Sequence, residues 1–192
     1  VLTILEVSNF VDPRASERQR AGAGRVRWVI VRPGEGTWTQ AHGRELLIEH
    51  VEGRRVGNAE QRVLGSAARL RALVQLHRPS VIVCGSPALM PALVHMSGFR
   101  LAPRPALIGA WQADVAGALV RRELGRVDRR LASVGARALG WWTEQGLGSL
   151  DAVVVGSRSA ARELWGRGLD RIFVAPRGVD LERFSPDLDG SG

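Results

Sequence analysis

The chain has one cysteine, Cys84, so no internal disulfide can form. A lone thiol in the apolar run Val81-Ile82-Val83 reads as a small buried side chain and suits a reducing compartment. The four histidines (His42, His50, His77, His95) are scattered without metal-ligand spacing, which excludes the common zinc patterns. Apolar runs last only a few residues, far short of a membrane span. Tyrosine and lysine are missing altogether. Aromatics make up 5%, and the Trp residues fall mostly in apolar contexts, so the basic groove with interleaved aromatics of a nucleic-acid binder is not seen. No nucleic-acid partner is expected.

Several glycine signatures are lacking too. Gly22-Ala23-Gly24 precedes a strand and has no third Gly at the required offset, so it is not a dinucleotide fingerprint. There is no P-loop. Gly156-Ser157 is not a nucleophile elbow, because position 159 is Ser.

What is present is globular. The 192 residues are 45% hydrophobic and 24% charged, enough for one α/β domain with a core and without a disordered signature. The net charge of +8 comes from Arg. Acidic residues are interspersed nearly everywhere, so the charge reads either as a compositional bias on solvated faces or as attraction to an anionic partner. Val1 opens directly into a strand-like run with no secretory pattern, and a cytoplasmic location is expected. Val1 in place of an initiator Met points to trimming, an alternative start or a partial reading frame.

Strand patterns cover 2–8, 26–31, 80–84, 106–110, 152–155 and 171–175. Helix patterns alternate with them: about two turns around 15–21, then 59–77 behind a predicted Asn58 cap, 88–96, 115–141 and 159–167. In 59–77 the apolar face is Val63, Ala67, Leu70 and Val74; in 115–141 it is Val120, Leu124, Val127, Leu131, Val134 and Ala138. Residues 36–57 read as a small strand pair or an irregular connection. The alternation predicts an α/β fold, a Rossmann-like doubly wound, mainly parallel sheet of six or seven strands.

Such sheets bind ligands beyond the carboxyl ends of their strands. That rule selects Asn9 and Phe10, Ser86 and Pro87, Trp111 to Asp114, Ser157 and Arg158, and Arg177 to Asp180. Asp114 could be a site residue or only an N-cap. Arg177 could face a cleft, cap a helix or cover a sheet edge.

The segment LDAVVVGSRSAARELWGRGLDRIFVAPRGVDLERFSP, residues 150–186, adds a specific signal. It resembles the end of the N-terminal domain in retaining glycosyltransferases of the two-domain GT-B fold, similar to glycosyltransferase family 4. The run Gly178-Val179-Asp180 with Arg183-Phe184 and Pro186 matches the family's exit from its first domain. The resemblance is clear from about residue 108 to 186 and loose before. It implies that 1–186 form the acceptor-side half of a GT-B fold and that 187–192 begin a linker toward a C-terminal domain. The implied reaction moves a sugar from a nucleotide-sugar donor to a hydroxyl of a sugar, glycan or lipid-linked acceptor, with retention and without a metal or other cofactor.

By the same resemblance Asp114 and Gln112 are the catalytic candidates. Asn9, Phe10, Ser86, Trp111, Ser157 and Arg158 are acceptor-binding candidates, and Arg177, Gly178 and Asp180 line the donor-side cleft. Two departures stand out. Trp111-Gln112-Ala113-Asp114 carries Gln where relatives often have His, and an amide can orient a hydroxyl but cannot act as a general base. After the first strand, Asp12-Pro13-Arg14-Ala15-Ser16 has no Gly where relatives have a flexible turn facing the donor phosphates. Either those phosphates are met differently or the contact is lost. The family's donor site lies mostly in the second domain, so these residues alone are expected to be inactive. A non-catalytic binding module of the same fold that needs a partner chain is the alternative. Arg121, Arg122, Arg126, Arg129, Arg130 and Arg137 lie on one helix pattern. They read either as a solvated face paired with Glu123 and Asp128 or as a peripheral contact with the inner face of the membrane.

Overall fold

A computed structural model describes residues 1–7, 25–55, 62–85, 89–111 and 129–176, with backbone alone for 129–136 and 139. The strands are β1 (Leu2–Val7), β2 (Val26–Gly34), β3 (Trp38–His42), β4 (Leu46–Glu52), β5 (Arg54–Arg55), β6 (Arg62–Val63), β7 (Val81–Cys84), β8 (Ala106–Trp111), β9 (Ala152–Val155) and β10 (Ile172–Val174). The helices are α1 (Ala67–His77), α2 (Met90–Ser97), α3 (Arg129–Gly148) and α4 (Arg158–Trp165).

Eight strands form one sheet in the order β10-β9-β8-β7-β1-β2-β4-β3, and all pairs are parallel except β3 with β4. β5 and β6 make a separate antiparallel pair. The fold is therefore the expected Rossmann-like α/β sheet, with one strand more than the upper expectation. The extra strand comes from 38–52. That hairpin does not stand apart but adds β4 to β2 in parallel register, Ile30 against Ile48. The pattern of β4 permits this: Leu46, Ile48 and Val51 are buried while β3 is exposed along its length. A short polar edge strand blunts further pairing. Trp38 stacks on its register partner His50, ring centroids 3.7 Å apart.

Alternation along the strands builds the core. Ile82 and Cys84, Leu107 and Trp111, Val153 and Val155 turn one way and join Leu70, Val74, Met90, Val94, Leu147 and Leu164 from the helices. Full burial of a side chain such as Leu70 contributes about 2 kcal/mol. The helix stops follow local rules. Ser66 caps α1 by accepting the Arg69 N–H at 3.2 Å, and Ser157 caps α4 by accepting the Ala160 N–H at 3.2 Å. Gly98 ends α2 with a φ of 56°.

Three sequence expectations are corrected. The helix expected over 59–77 starts at Ala67, because Arg62 and Val63 pair with Arg55 and Arg54 and Ser66 is the cap. Val63 is therefore a strand residue, and Asn58, the expected cap, lies outside the described residues. The helix expected to end at Trp141 continues to Gly148. Ala138, placed on its apolar stripe, is exposed; the buried positions of its last turns are Thr143 and Leu147. The short helix expected around 15–21 and the residues 115–128 of the long one lie outside the described residues.

Candidate active-site crevice

The strand order reverses between β1 and β7. From β1 the chain builds outward through β2 and β4; from β7 it builds the other way through β8, β9 and β10. Connections that leave adjacent parallel strands in opposite directions open a crevice at their carboxyl ends. Val7 and Cys84 are register partners there, and the Gly85 N–H donates to the Val7 carbonyl at 2.8 Å. Asn9 and Phe10 follow β1 and Ser86 follows β7, so the topology assigns these three to the switch point by sequence position. Their own placement lies outside the described residues, as does that of Gln112, Asp114, Arg177, Gly178 and Asp180.

The neighbouring strand ends share the same edge. Cys84 pairs with Gly109 two residues before the end of β8, Trp111 pairs with Val155, and Val155 with Val174. Every candidate chosen from the sequence thus ends or follows, in the chain, a strand that finishes on this edge. None follows the edge hairpin.

Three candidates are described directly. Trp111 is 4% exposed and packs in the core cluster, so its indole holds the end of β8 under the helix layer. Ser157 is exposed, but its hydroxyl already accepts the Ala160 N–H and lies 2.9 Å from the Ser159 hydroxyl. Removing such a cap costs about 1 kcal/mol. Arg158 opens α4 and is exposed. A cation at a helix N-terminus opposes the helix dipole by a few tenths of a kcal/mol or more, so helix stability does not explain this arginine.

The thiol nearest the crevice is inert. Burial alone pushes the Cys84 pKa from 9.0 up to about 12, which keeps it protonated. Among the described residues no group of three or more His, Cys, Asp or Glu could hold a metal ion.

The tie between Gly85 and Val7 was not legible in the sequence, where Gly85 reads only as the start of a turn. A second feature was missed altogether. Glu49, on β4, accepts from the Thr39 hydroxyl at 2.8 Å and bonds His77 Nε2, at the end of α1, at 2.9 Å. No motif spacing joins positions 39, 49 and 77; only the β3–β4 register and the course of α1 do.

The profile of Glycosyltransferase Family 4 matches residues 25–183. The chain belongs to glycosyltransferase family 4. None of the curated proteins compared with it matches. The family 4 match spans β2 to residue 183 and so takes in every strand of the sheet except β1. The domain is thus one of a glycosyl-transfer family, built on the parallel sheet described above.

Proposed function

We propose that this family 4 domain is the acceptor-binding half of a retaining glycosyltransferase of the GT-B fold, moving a sugar from a nucleotide-sugar donor to a hydroxyl acceptor. The switch point between β1 and β7 supports this reading, because the strands that precede the candidates end on one edge of a family 4 domain. Residues 1–186 form the acceptor-side domain and 187–192 lead toward a donor-binding domain. The two walls of the closed cleft would hold donor and acceptor together, which removes the entropic cost of their encounter.

Within the crevice, Asp114 arranges the acceptor hydroxyl and Gln112 orients it through its amide. Asn9, Phe10, Ser86, Trp111, Ser157 and Arg158 shape the acceptor wall, with Trp111 acting from beneath by packing. Arg177, Gly178 and Asp180 face the donor side. Gln112 takes no proton, so the scheme needs no general base at that position. No metal is required.

A peripheral membrane contact at the inner face, through Arg121, Arg122, Arg126, Arg129 and Arg130, suits a lipid-linked acceptor. The described part of α3 supports it: Arg137 is exposed, and Trp141 and Trp142 are 61% and 47% exposed. Arginine and tryptophan on one helix are the pair that interfacial helices use. No helix among the described residues is long and apolar enough to cross a membrane.

The test is the anomeric configuration of the product. These residues are fused to a family 4 donor domain and transfer is followed by proton NMR of the anomeric signal. An α-linked donor giving an α-linked product supports the proposal; an inverted product contradicts it.

A further inference from the structure

The opposite edge of the sheet carries a feature that lies away from the proposed crevice. Two cavities of about 370 and 570 Å³ meet at the amino ends of β7, β8 and β9 and share Arg100, Leu101 and Arg104. The first is also lined by Arg78 and Ser80. The second adds an apolar floor that includes Phe99 and Leu107. Three arginines therefore line the two adjoining cavities, and no acidic residue lines either.

The bland explanation is that these arginines serve the helix ends that finish on this edge, since cations are favoured at helix C-termini. At the end of α2 that task falls to another residue. Arg71, on α1, donates from Nε to the Ser97 carbonyl at the end of α2. Arg104 lies 3.3 Å from Asp151, but both are well exposed, and the same Asp151 oxygen already accepts the Leu107 N–H at 2.8 Å. An exposed pair of this kind is worth at most about 1 kcal/mol. Among the described residues Arg78 and Arg100 make no ion pair.

Arg78 gives the second, independent observation. It ends α1 with φ at 42°, the only non-glycine residue with positive φ among the described residues. Glycine is the residue that this conformation favours, and a long side chain there costs on the order of 1 kcal/mol. The neighbouring helix α2 solves the same ending with Gly98. The backbone disfavours an arginine at this position, and Arg78 lines the same cavity as Arg100 and Arg104.

We propose that the cleft bordered by Arg78, Arg100 and Arg104 binds the phosphate or diphosphate group of an organic ligand, with Phe99, Leu101 and Leu107 against its apolar part. Arginine forks match phosphate oxygens in pairs, and each charge-assisted bond is stronger than a neutral one. The ligand chemistry is the same whether the group belongs to a lipid headgroup or to a soluble phosphate. The proposal is independent of the crevice at the carboxyl edge and survives if the acceptor reading fails.

The experiment uses the full chain. Sodium diphosphate is titrated by calorimetry, and co-sedimentation is measured with phosphatidylcholine vesicles with and without phosphatidic acid. Three variants are compared with wild type: Arg100→Ala with Arg104→Ala, Arg78→Gly, and Arg55→Ala as an exposed arginine away from the cleft. Arg78→Gly removes the charge and relaxes the backbone, so it is expected to melt at or above the wild-type temperature and cannot lose binding through unfolding. Saturable binding that falls about tenfold in the first two variants and is unchanged in Arg55→Ala supports the site. If diphosphate carries the effect, the ligand is soluble; if only the phosphatidic acid vesicles do, it is a headgroup. No saturable binding in either arm overturns the proposal. So does binding that Arg78→Gly and the double variant leave intact, or that Arg55→Ala weakens equally.

Discussion

Val7 and Cys84 sit side by side at the carboxyl ends of β1 and β7, and the chain leaves them for opposite halves of the sheet. This one pairing fixes where a crevice can open. It also buries both residues completely. A dry layer of apolar side chains thus underlies this edge of the sheet.

The buried thiol gives a prediction with a definite sign. Cys84 titrates near 9.0 when exposed and near about 12 when folded, because burial disfavours the thiolate. The unfolded chain therefore loses this proton first as pH rises. Its contribution to stability is complete below pH 9.0 and is lost progressively toward pH 12. Denaturant melts at increasing pH are expected to show falling stability in wild type and a flatter profile in Cys84→Ala. In native protein near neutral pH a thiol reagent is expected to react only at the rate of unfolding.

Close packing at the end of α3 gives a second. A Cβ on Gly109 would lie 2.7 Å from Leu150 Cδ1 and 3.2 Å from Leu147 Cδ2. Gly109→Ala is expected to destabilise by about 1–3 kcal/mol, since two buried leucine side chains must give way in a packed core. Gly156→Ala is the control: nothing lies within 4 Å of its added Cβ. Urea melts are expected to leave that variant within about 1 kcal/mol of wild type.

The buried link between α1 and the edge hairpin gives a third. Glu49→Ala strips a partner from both His77 and Thr39, whose bonds to Glu49 measure 2.9 and 2.8 Å. The expected loss is about 1–3 kcal/mol. Glu49→Gln keeps shape and one acceptor and is expected to lose less. Equal stability of wild type and Glu49→Ala in urea melts would show that the network contributes nothing.

Asp114, proposed for the crevice, gives the fourth. If it only caps a helix, Asp114→Asn costs well under about 1 kcal/mol of stability, because Asn caps as well as Asp. If it arranges the acceptor, turnover in the two-domain enzyme falls roughly tenfold or more, equivalent to about 1.4 kcal/mol of transition-state stabilisation. The proposed role predicts the second result with little change in melting temperature.

Sequence legibility followed the strength of local patterns. Six parallel strands were visible because each is a short apolar run followed by turn residues, as in Ala152–Val155 before Gly156-Ser157. The hairpin 38–52 was ambiguous because β3 is polar and its pairing is set by a register with β4 that no local signal encodes. Helix α1 was read eight residues too long because Val63 happens to fit its 3.6-residue period, while Ser66 is an equally good cap closer in. On the site side, the rule of carboxyl ends selected strands that do share one edge. It could not tell that Trp111 would turn inward, since the phase of alternation at a strand end depends on which face the helices cover. The cleft of Arg78, Arg100 and Arg104 was invisible because its arginines lie in two loops brought together only by the β7–β8 pairing.

The central claim is that these residues hold the acceptor and that the donor is held elsewhere. Its most direct test is calorimetry of the 192-residue chain with UDP, GDP, ADP and dTDP and with UDP-glucose and GDP-mannose. The account predicts no micromolar binding at the carboxyl edge by this chain alone: any affinity for these diphosphates is unchanged by substitution of Arg158 and falls in Arg100→Ala with Arg104→Ala, and binding at the crevice needs a donor domain. Micromolar affinity of the isolated chain for any one, lost on substitution of Arg158 at the carboxyl edge, would contradict it.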